Sequence, residues 1–524
     1  MKLSARLAVA VLALSSSMSL WGQTSLATIT GSIIDAQGAG IPAVKITVTN
    51  VATKLSFSRE SSQDGTYVIP QLPIGPYTLE ATAAGFKTFQ QSGINLEVNQ
   101  RLRVDIRMDI GNVSESIQVT AEIPRIQTED SSLGAVVERR RIEELPVNGR
   151  HVFNLVKMVA GVQPRNDTTD GFAEISNQAF SQMRINGGPG YGNQFFLDGA
   201  VNSAPVHNEI AVVPMSDAVE EFRVETSSLK AEFGQTTGGI INAVTKMGTN
   251  EFHGSAYEFL RNDSLDARNA FATQPDPRTG RIKQVLRYNQ FGGTIGGPVW
   301  IPKVYDGRNR TFFFAGYEKW LWRATGNPRL GTVAIPEFRA GNFANLRDGQ
   351  GRQIALFDPN TTRVNPNGSG FVRDPLPNNV VPSSLIDPLS ARVLAYHPLP
   401  NATPTDPFTF ANNYIALVPS SSDQGISTIR LDHRLSDNDS IFFRLSSTRN
   451  TRRDRGWGLE EADPVARNDQ RDNHSIIANY TRVVTPRIVN DLRVAVSRQW
   501  LPFLHPSFDQ GWPEKLGFPS QVPQ

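Results

Sequence analysis

The 524-residue chain contains no cysteine. Disulfides, thiolate metal sites and a cysteine nucleophile are thereby excluded, although no compartment follows from the absence. Charge is sparse as well: 19% of residues are charged and the net charge is +2, which leaves no strong nucleic-acid footprint. Long hydrophobic runs are also missing, and no window approaches the roughly 20 apolar residues of a membrane helix. Only helices and closed barrels cross a bilayer, so a soluble or a β-barrel destination remains. The seven histidines form no His-x-x-x-His or His-Glu-x-x-His pair, and no Gly-x-Ser-x-Gly elbow is present. Carboxylates are numerous but show no paired constellation, so no catalytic residue, metal ligand or cofactor site is expected.

What is present begins at the N-terminus. Lys2 and Arg6 precede an apolar run, Leu7 to Leu14, and then small residues Ser15 to Ser17. Positive start, short apolar middle and small-residue exit are the order of a secretory signal peptide. Residues 1–27 are assigned to it, with cleavage after Gly22 or Ala27. Beyond it Gly and Pro are frequent, and period-two alternation outweighs helical spacing.

Residues 28–112 read as a unit. Ile29 to Ile34 and Val44 to Thr49 alternate as half-buried strands do. Turn signals fall at Asp35 to Gly40, Asp64-Gly65, Pro73 to Pro76 and Gly85. About seven short strands in this length suggest a β-sandwich. The stretches Gly31 to Asp35, Gly40 to Val48, Asp64 to Ile69, Leu72 to Leu79 and Gly85-Phe86 resemble the carboxypeptidase-regulatory-like domain. That resemblance implies an immunoglobulin-like sandwich, also grouped with carbohydrate-binding-like folds. It implies no catalysis, because the zinc ligands of the carboxypeptidases lie in another domain.

Residues 126–249 mix helical and strand patterns. Val136, Ile142 and Leu145, then Val152, Leu155, Val156 and Val159, have helical spacing on either side of Pro146 to Gly149. Ile185-Asn186-Gly187 opens a glycine loop that closes at Leu197-Asp198-Gly199. Its spacing fits neither Gly-x-Gly-x-x-Gly nor a Walker loop. A strand candidate, Val219 to Glu225, then runs into a bend at Gly234, Gly238 and Gly239. Glycines there permit positive φ and close backbone packing. The chain returns as Ile240 to Lys246, through Asn242. Phe233-Gly234, Gly238 to Asn242 and Val244-Thr245-Lys246 together resemble the end of the plug domain of TonB-dependent outer-membrane receptors. In that family these steps lead into the first barrel strand. Ile185, Asn186, Gly187, Leu197, Asp198, Gly199, Gly234, Gly238, Gly239 and Asn242 are the positions that carry the plug motif here.

The same resemblance gives a role to the linker, residues 113–125. Glu115, Ser116, Ile117, Gln118, Val119, Thr120 and Ala121 are extended and β-prone. In the receptor family a similar stretch is the TonB box, which pairs as a strand with the periplasmic energy-coupling protein TonB. Strand addition rests on main-chain hydrogen bonds, so side-chain demands are loose. The other reading is the last strand of the sandwich, and both stay open.

From residue 250 to 524 the texture becomes long amphipathic strand candidates. They are Phe252 to Arg261, Tyr288 to Trp300, Thr311 to Arg323, Ile426 to Arg434, Ser440 to Arg449, His474 to Thr485 and Ile488 to Trp500. Transmembrane strands need about 9–11 residues, and these fit. Trp300, Trp320, Trp322, Tyr480 and Trp500 lie near strand ends, where interfacial girdles would be. Arg430 to Arg444 reads as two strands around a tight periplasmic turn, with His433 and Asp432 as lumen polarity. The Pro/Asn/Gly-rich stretch at about 324–422 reads as a long extracellular loop. Met183 and Met215 read as packing.

The expected fold is mainly β: an Ig-like β-sandwich, an α+β plug, and the first strands of a transmembrane antiparallel barrel. Seven candidates cannot close a plugged barrel of about 22 strands. The tail, Phe518 to Gln524, is no strand and lacks the family's terminal aromatic, so the chain reads as the N-terminal portion of a longer protein. The resemblance, which is to Oar-like receptors, implies a Gram-negative outer membrane with a periplasmic sandwich. It implies as partners the TonB complex, outer-membrane lipid and an extracellular ligand. The function it implies is energised uptake of a large or scarce nutrient, such as a siderophore, oligosaccharide or peptide. A non-transporting adhesin or glycan-binding surface protein is the alternative.

Overall fold

A computed structural model describes residues 26–518, apart from 112–115, 120–131, 146, 164–182, 205–207, 230–232, 235, 269, 272–274, 276–279, 284, 326–328, 417, 455, 460–462 and 486–487. The expected signal peptide lies almost wholly outside the described residues. Ala27, the later candidate cleavage position, is already the first residue of a strand and pairs with Leu72.

Eight strands build the first unit: β1 (Ala27–Ile34), β2 (Lys45–Asn50), β3 (Ser56–Glu60), β4 (Thr66–Leu72), β5 (Gly75–Thr82), β6 (Thr88–Leu96), β7 (Arg101–Arg103) and β8 (Ile106–Arg107). One sheet has the order β4-β1-β7, with β8 also on β1; the other has the order β3-β2-β5-β6. Side chains of β1 alternate between buried and half-buried along its whole length. Their inner faces share one core that includes Ile29, Ile46, Tyr67, Ile69, Tyr77 and Leu79. Each such side chain contributes about 1.5–3 kcal/mol by leaving water. The Tyr67 hydroxyl donates to Val104 O at 2.7 Å, which satisfies its one buried polar atom. A ninth strand, β9 (Ser116–Val119), adds to the second sheet by parallel pairing with Thr88 to Gln91 of β6.

The second unit begins with β10 (Leu133–Val137) and the short helix α1 (Arg139–Glu144). Val136, expected on a helix, lies on β10. Residues 152–158 form a 3-10 helix, so the apolar spacing there buries Val152, Phe153, Leu155 and Val156 with a tighter pitch than expected. There follow β11 (Val162–Gln163), β12 (Arg184–Ile185), β13 (Gln194–Leu197), β14 (Ala200–Val201), β15 (Val219–Ser227) and β16 (Ile240–Thr245). The sheet order is β10-β15-β16-β13-β14; β15 and β16 are antiparallel, and β13 runs parallel to β16. Met183 packs into this unit's core.

The third unit is a curved antiparallel wall: β17 (His253–Asn262), β18 (Leu286–Pro298), β19 (Thr311–Thr325), β20 (Pro419–Arg434), β21 (Asp439–Asp454), β22 (Arg467–Thr485) and β23 (Ile488–Trp500). Neighbours in sequence are neighbours in the sheet, and β17 and β23 form its ends. All seven candidates are strands, several longer than expected. β20 starts seven residues before Ile426, and β22 seven before His474. Ser421, Asp423, Gln470 and Asp472 occupy these extensions, so apolar alternation ends while backbone pairing continues. Ile295, Ala315, Ile429, Leu445, Ile476 and Val496 are successive cross-strand partners on the outer face. Phe313, Leu431, Phe443, Ala478 and Val494 form the next outward row. The inner face is polar, with Thr428, Ser446 and Ser475 in one row and Gln424, Asn450 and Arg471 in another. Apolar outside and polar inside is the pattern of a wall between lipid and lumen.

Two expectations change here. Trp322 is buried and packs inward with Trp320 against Tyr288, so neither belongs to an outer girdle. Tyr480 and Trp500 do face outward, on the rows of Leu492 and Asp472. His433 also points outward, because side chains alternate and Arg430 and Asp432 take the inner face; its Nδ1 lies 2.6 Å from the Thr311 hydroxyl. The stretch between β19 and β20 lacks long strands but is folded. Arg339 donates to the carbonyls of Ala334, Leu394, His397 and Pro398. The buried Asn379 amide ties Phe343, Ile354 and Leu356 together.

Candidate functional site

The plug motif is a turn whose carboxylate reaches the wall. Leu197 and Ala200 pair across the β13–β14 hairpin, leaving Asp198 and Gly199 at its tip with φ of 51° and 74°. A left-handed tip favours Asp and Gly. Because β13 runs beside β16, Asp198 lies beside Thr245, and its Oδ1 accepts the Thr245 N–H at 2.8 Å. From the wall, Arg430 Nη1 of β20 stands 3.1 Å from Asp198 Oδ1, and Arg444 Nη1 of β21 stands 3.0 Å from Oδ2. Asp198 and Arg444 are 2% and 1% exposed as side chains, so solvent does not screen this pair. Arg430 is also paired with Asp432 at 2.8 Å, so two carboxylates balance two guanidiniums. Arg493 of β23 donates to Gly199 O at 2.8 Å.

Further contacts widen the attachment. Arg471 of β22 is 3.2 Å from Glu209 of the plug. Arg150 of the plug pairs with Asp217 at 2.7 Å and lies 4.6 Å from the ring centres of Tyr257 and Phe259 on β17. Met215 and Ala218 share a small apolar cluster with Phe314 and Ile426 of the wall. Met215 is therefore packing. The plug thus grips the inner face of the wall by buried ion pairs and by apolar contact.

The remaining motif residues support the plug itself. Ile185 is buried in its core, and Asn186 and Gly187 make a left-handed turn from which Asn186 Nδ2 donates to Thr226 O at 2.8 Å. Asn242 is buried on β16. Gly238 and Gly239 do not take positive φ; they serve close packing instead. A Cβ on Gly239 would stand 2.7 Å from Glu225 O and 2.6 Å from the Ile185 side chain. Gly234 is exposed with nothing near its would-be Cβ, and it stays apart from the other motif residues. Arg430, Arg444, Arg471 and Arg493 were not singled out from sequence. Their signal was an arginine at lumen parity in a strand otherwise built for a wall.

The first unit faces the same end of the wall. Val98 N donates to Glu221 Oε1 of β15. Burial pushes the Glu221 carboxyl up to about 8, with Glu97, Glu220 and Glu138 adding repulsion against the hydrogen bond from Val98. Glu143 of α1 is held below the usual carboxylate range by Lys246 and Arg139, against the opposing effect of its burial. Of the linker residues, Ser116, Ile117, Gln118 and Val119 lie in β9, with Gln118 exposed; Glu115, Thr120 and Ala121 lie outside the described residues.

The family model for an outer membrane beta barrel domain matches residues 244–524, 281 of the 524. The chain belongs to this outer membrane beta barrel family. The wall is accordingly an outer-membrane wall, and its outward apolar rows face lipid. A second model, for a carboxypeptidase regulatory-like domain, matches residues 28–109, the sandwich. A curated relative, the TonB-dependent transporter Oar of Myxococcus xanthus, is 29% identical over 307 residues. That match covers 57% of this chain and 27% of the relative, so the chain spans about a quarter of the relative's length. Among solved structures, the Escherichia coli outer membrane transporter YddB aligns over 70% of this chain and 38% of its own, at 10% identity and a TM-score of 0.39. The Acinetobacter baumannii siderophore receptor PirA aligns over 73% and 46%, at 13% identity and a TM-score of 0.36. The family resemblance read from sequence and the matched curated relative thus coincide: that relative is a TonB-dependent transporter, not an enzyme.

Proposed function

We propose that this chain belongs to a TonB-dependent transporter that takes up a large or scarce nutrient, such as a siderophore, oligosaccharide or peptide, with energy delivered through TonB. One observation carries the reading: a separately cored plug is anchored to the inner, polar face of an outer-membrane wall through Asp198, Arg430 and Arg444. A plug that only sealed the wall would need no handle. We assign that handle to residues 115–121, whose described part, 116–119, is a strand at a sheet edge. An edge strand recruits a partner strand by main-chain hydrogen bonds. The adhesin reading draws on the folded stretch between β19 and β20, which exposes Phe357 and Phe371.

The test uses the full-length protein in detergent and the isolated periplasmic domain of the host's TonB, with binding followed by fluorescence anisotropy. Binding is expected for the natural sequence and for Val119→Ala, and is expected to be lost in Val119→Pro, since proline cannot donate to a ladder. Equal binding by both variants removes 115–121 from this role. Absence of binding by the natural protein leaves the adhesin reading.

A further inference from the structure

The sandwich, the plug and the wall together line a cavity of about 710 Å³. The plug contributes Glu220 and Lys246, the wall contributes Phe314 and Arg430, and the sandwich contributes two turns, around Asn50 to Thr53 and Pro73 to Pro76. The cavity lies at the end of the wall where strands are joined by short turns, such as Leu435 to Asn438 between β20 and β21. Short turns mark the periplasmic end and long loops the extracellular one. The sandwich therefore floors the cavity on the periplasmic side.

How the floor is fixed matters. Asn250, between plug and wall, donates its N–H to Ala52 O at 3.3 Å and its side-chain amide to Thr53 O. Arg434, at the short turn, donates to Ser56 O at 2.6 Å and lies 4.9 Å from the centre of the Phe57 ring. Val98 reaches Glu221 of the plug. These contacts are polar, and among the described residues the buried apolar cluster of the sandwich contains none from plug or wall. The plug differs, since it shares the Met215, Ala218, Phe314 and Ile426 cluster with the wall and buries Asp198 between two arginines. An interface of a few hydrogen bonds, each contributing roughly 1 kcal/mol net, opens far more readily than one with a common core and buried ion pairs.

We infer that the sandwich is a releasable cover on the periplasmic mouth of the plug–wall cavity, held by Asn250, Arg434 and Glu221 and detaching before the plug does. A link to energy coupling rests on the function proposed above. The segment assigned to TonB is an edge strand of the cover, so an external strand that captures 116–119 also takes hold of the sheet that floors the cavity.

These 524 residues hold no cysteine, so Thr294→Cys on the cavity lining reports access once any cysteine elsewhere in the full-length protein is replaced by serine. The full-length protein is labelled from the periplasmic side with a small maleimide and with a polymer-linked maleimide too wide to pass the closed floor. Asn250→Ala with Arg434→Ala removes two side-chain hydrogen bonds to the sandwich and should raise the polymer rate roughly tenfold or more, with the small-reagent rate unchanged. Unheated gel migration verifies that the barrel is folded, and each single substitution should give an intermediate rate. Polymer labelling that is already fast in the parent, or equal in parent and double variant, overturns the cover. TonB periplasmic domain is added in a separate arm. A rate that rises in the docking variants but ignores TonB upholds the cover and discards only its link to coupling.

Discussion

Asp198 of the plug and Arg444 of the wall, 246 positions apart in sequence, meet at 3.0 Å with both side chains almost fully buried. Arg430 shares the same carboxylate. Removing the carboxylate leaves two guanidiniums facing each other in a dry interface, whereas removing one arginine leaves a pair. Asp198→Ala is therefore expected to loosen the plug by about 3–5 kcal/mol, the cost of orphaning a buried charge. Limited proteolysis of the full-length protein in detergent should release plug fragments from Asp198→Ala much faster than from Arg444→Met. Equal resistance of parent and Asp198→Ala would show that the ion pairs hold nothing.

The sandwich–plug contact should depend on pH. Burial raises the Glu221 carboxyl from 4.5 to about 8, so the folded state keeps a proton that the unfolded chain has lost across that window. The contribution is complete below the unfolded value and disappears as pH rises through the folded one. Protection of the Val98 amide against hydrogen exchange, corrected for intrinsic rate, is expected to fall between about pH 5 and 8. Glu221→Gln should flatten the profile. A parent profile that is already flat contradicts the argument.

Gly239→Ala tests close packing at the plug bend. The added methyl meets a backbone carbonyl, Glu225 O, that cannot turn away. A loss of about 1–3 kcal/mol is expected from overpacking. Gly234→Ala, in open surroundings, should be near neutral, and thermal unfolding of both variants provides the contrast.

Coupling can be separated from folding in cells. With a transported nutrient in hand, Ile117→Pro and Val119→Pro should stop uptake while surface binding persists, because a misfolded barrel would lose both. Normal uptake with both prolines would return 116–119 to the role of a sandwich strand.

Much of this architecture was legible in the residues. Period-two alternation marked all seven wall strands, and turn residues marked the sandwich, because a face in lipid or in a core imposes its polarity on every second side chain. Strand ends were not legible where Ser421 or Gln470 continues the ladder outside the apolar band. The plug bend was visible through its glycines, though close approach to Glu225 and not positive φ is what demands Gly239. Sequence order could not show which inward arginines meet Asp198, since their partners are set by how β20 and β21 curve around the plug. Nor could it show that Glu221 lies under Val98, or that two sandwich turns floor a cavity. Local patterning is a property of neighbours along the chain, and the sequence carries it alone. Which buried charge finds which partner depends on three units docking, and only the tertiary structure decides that.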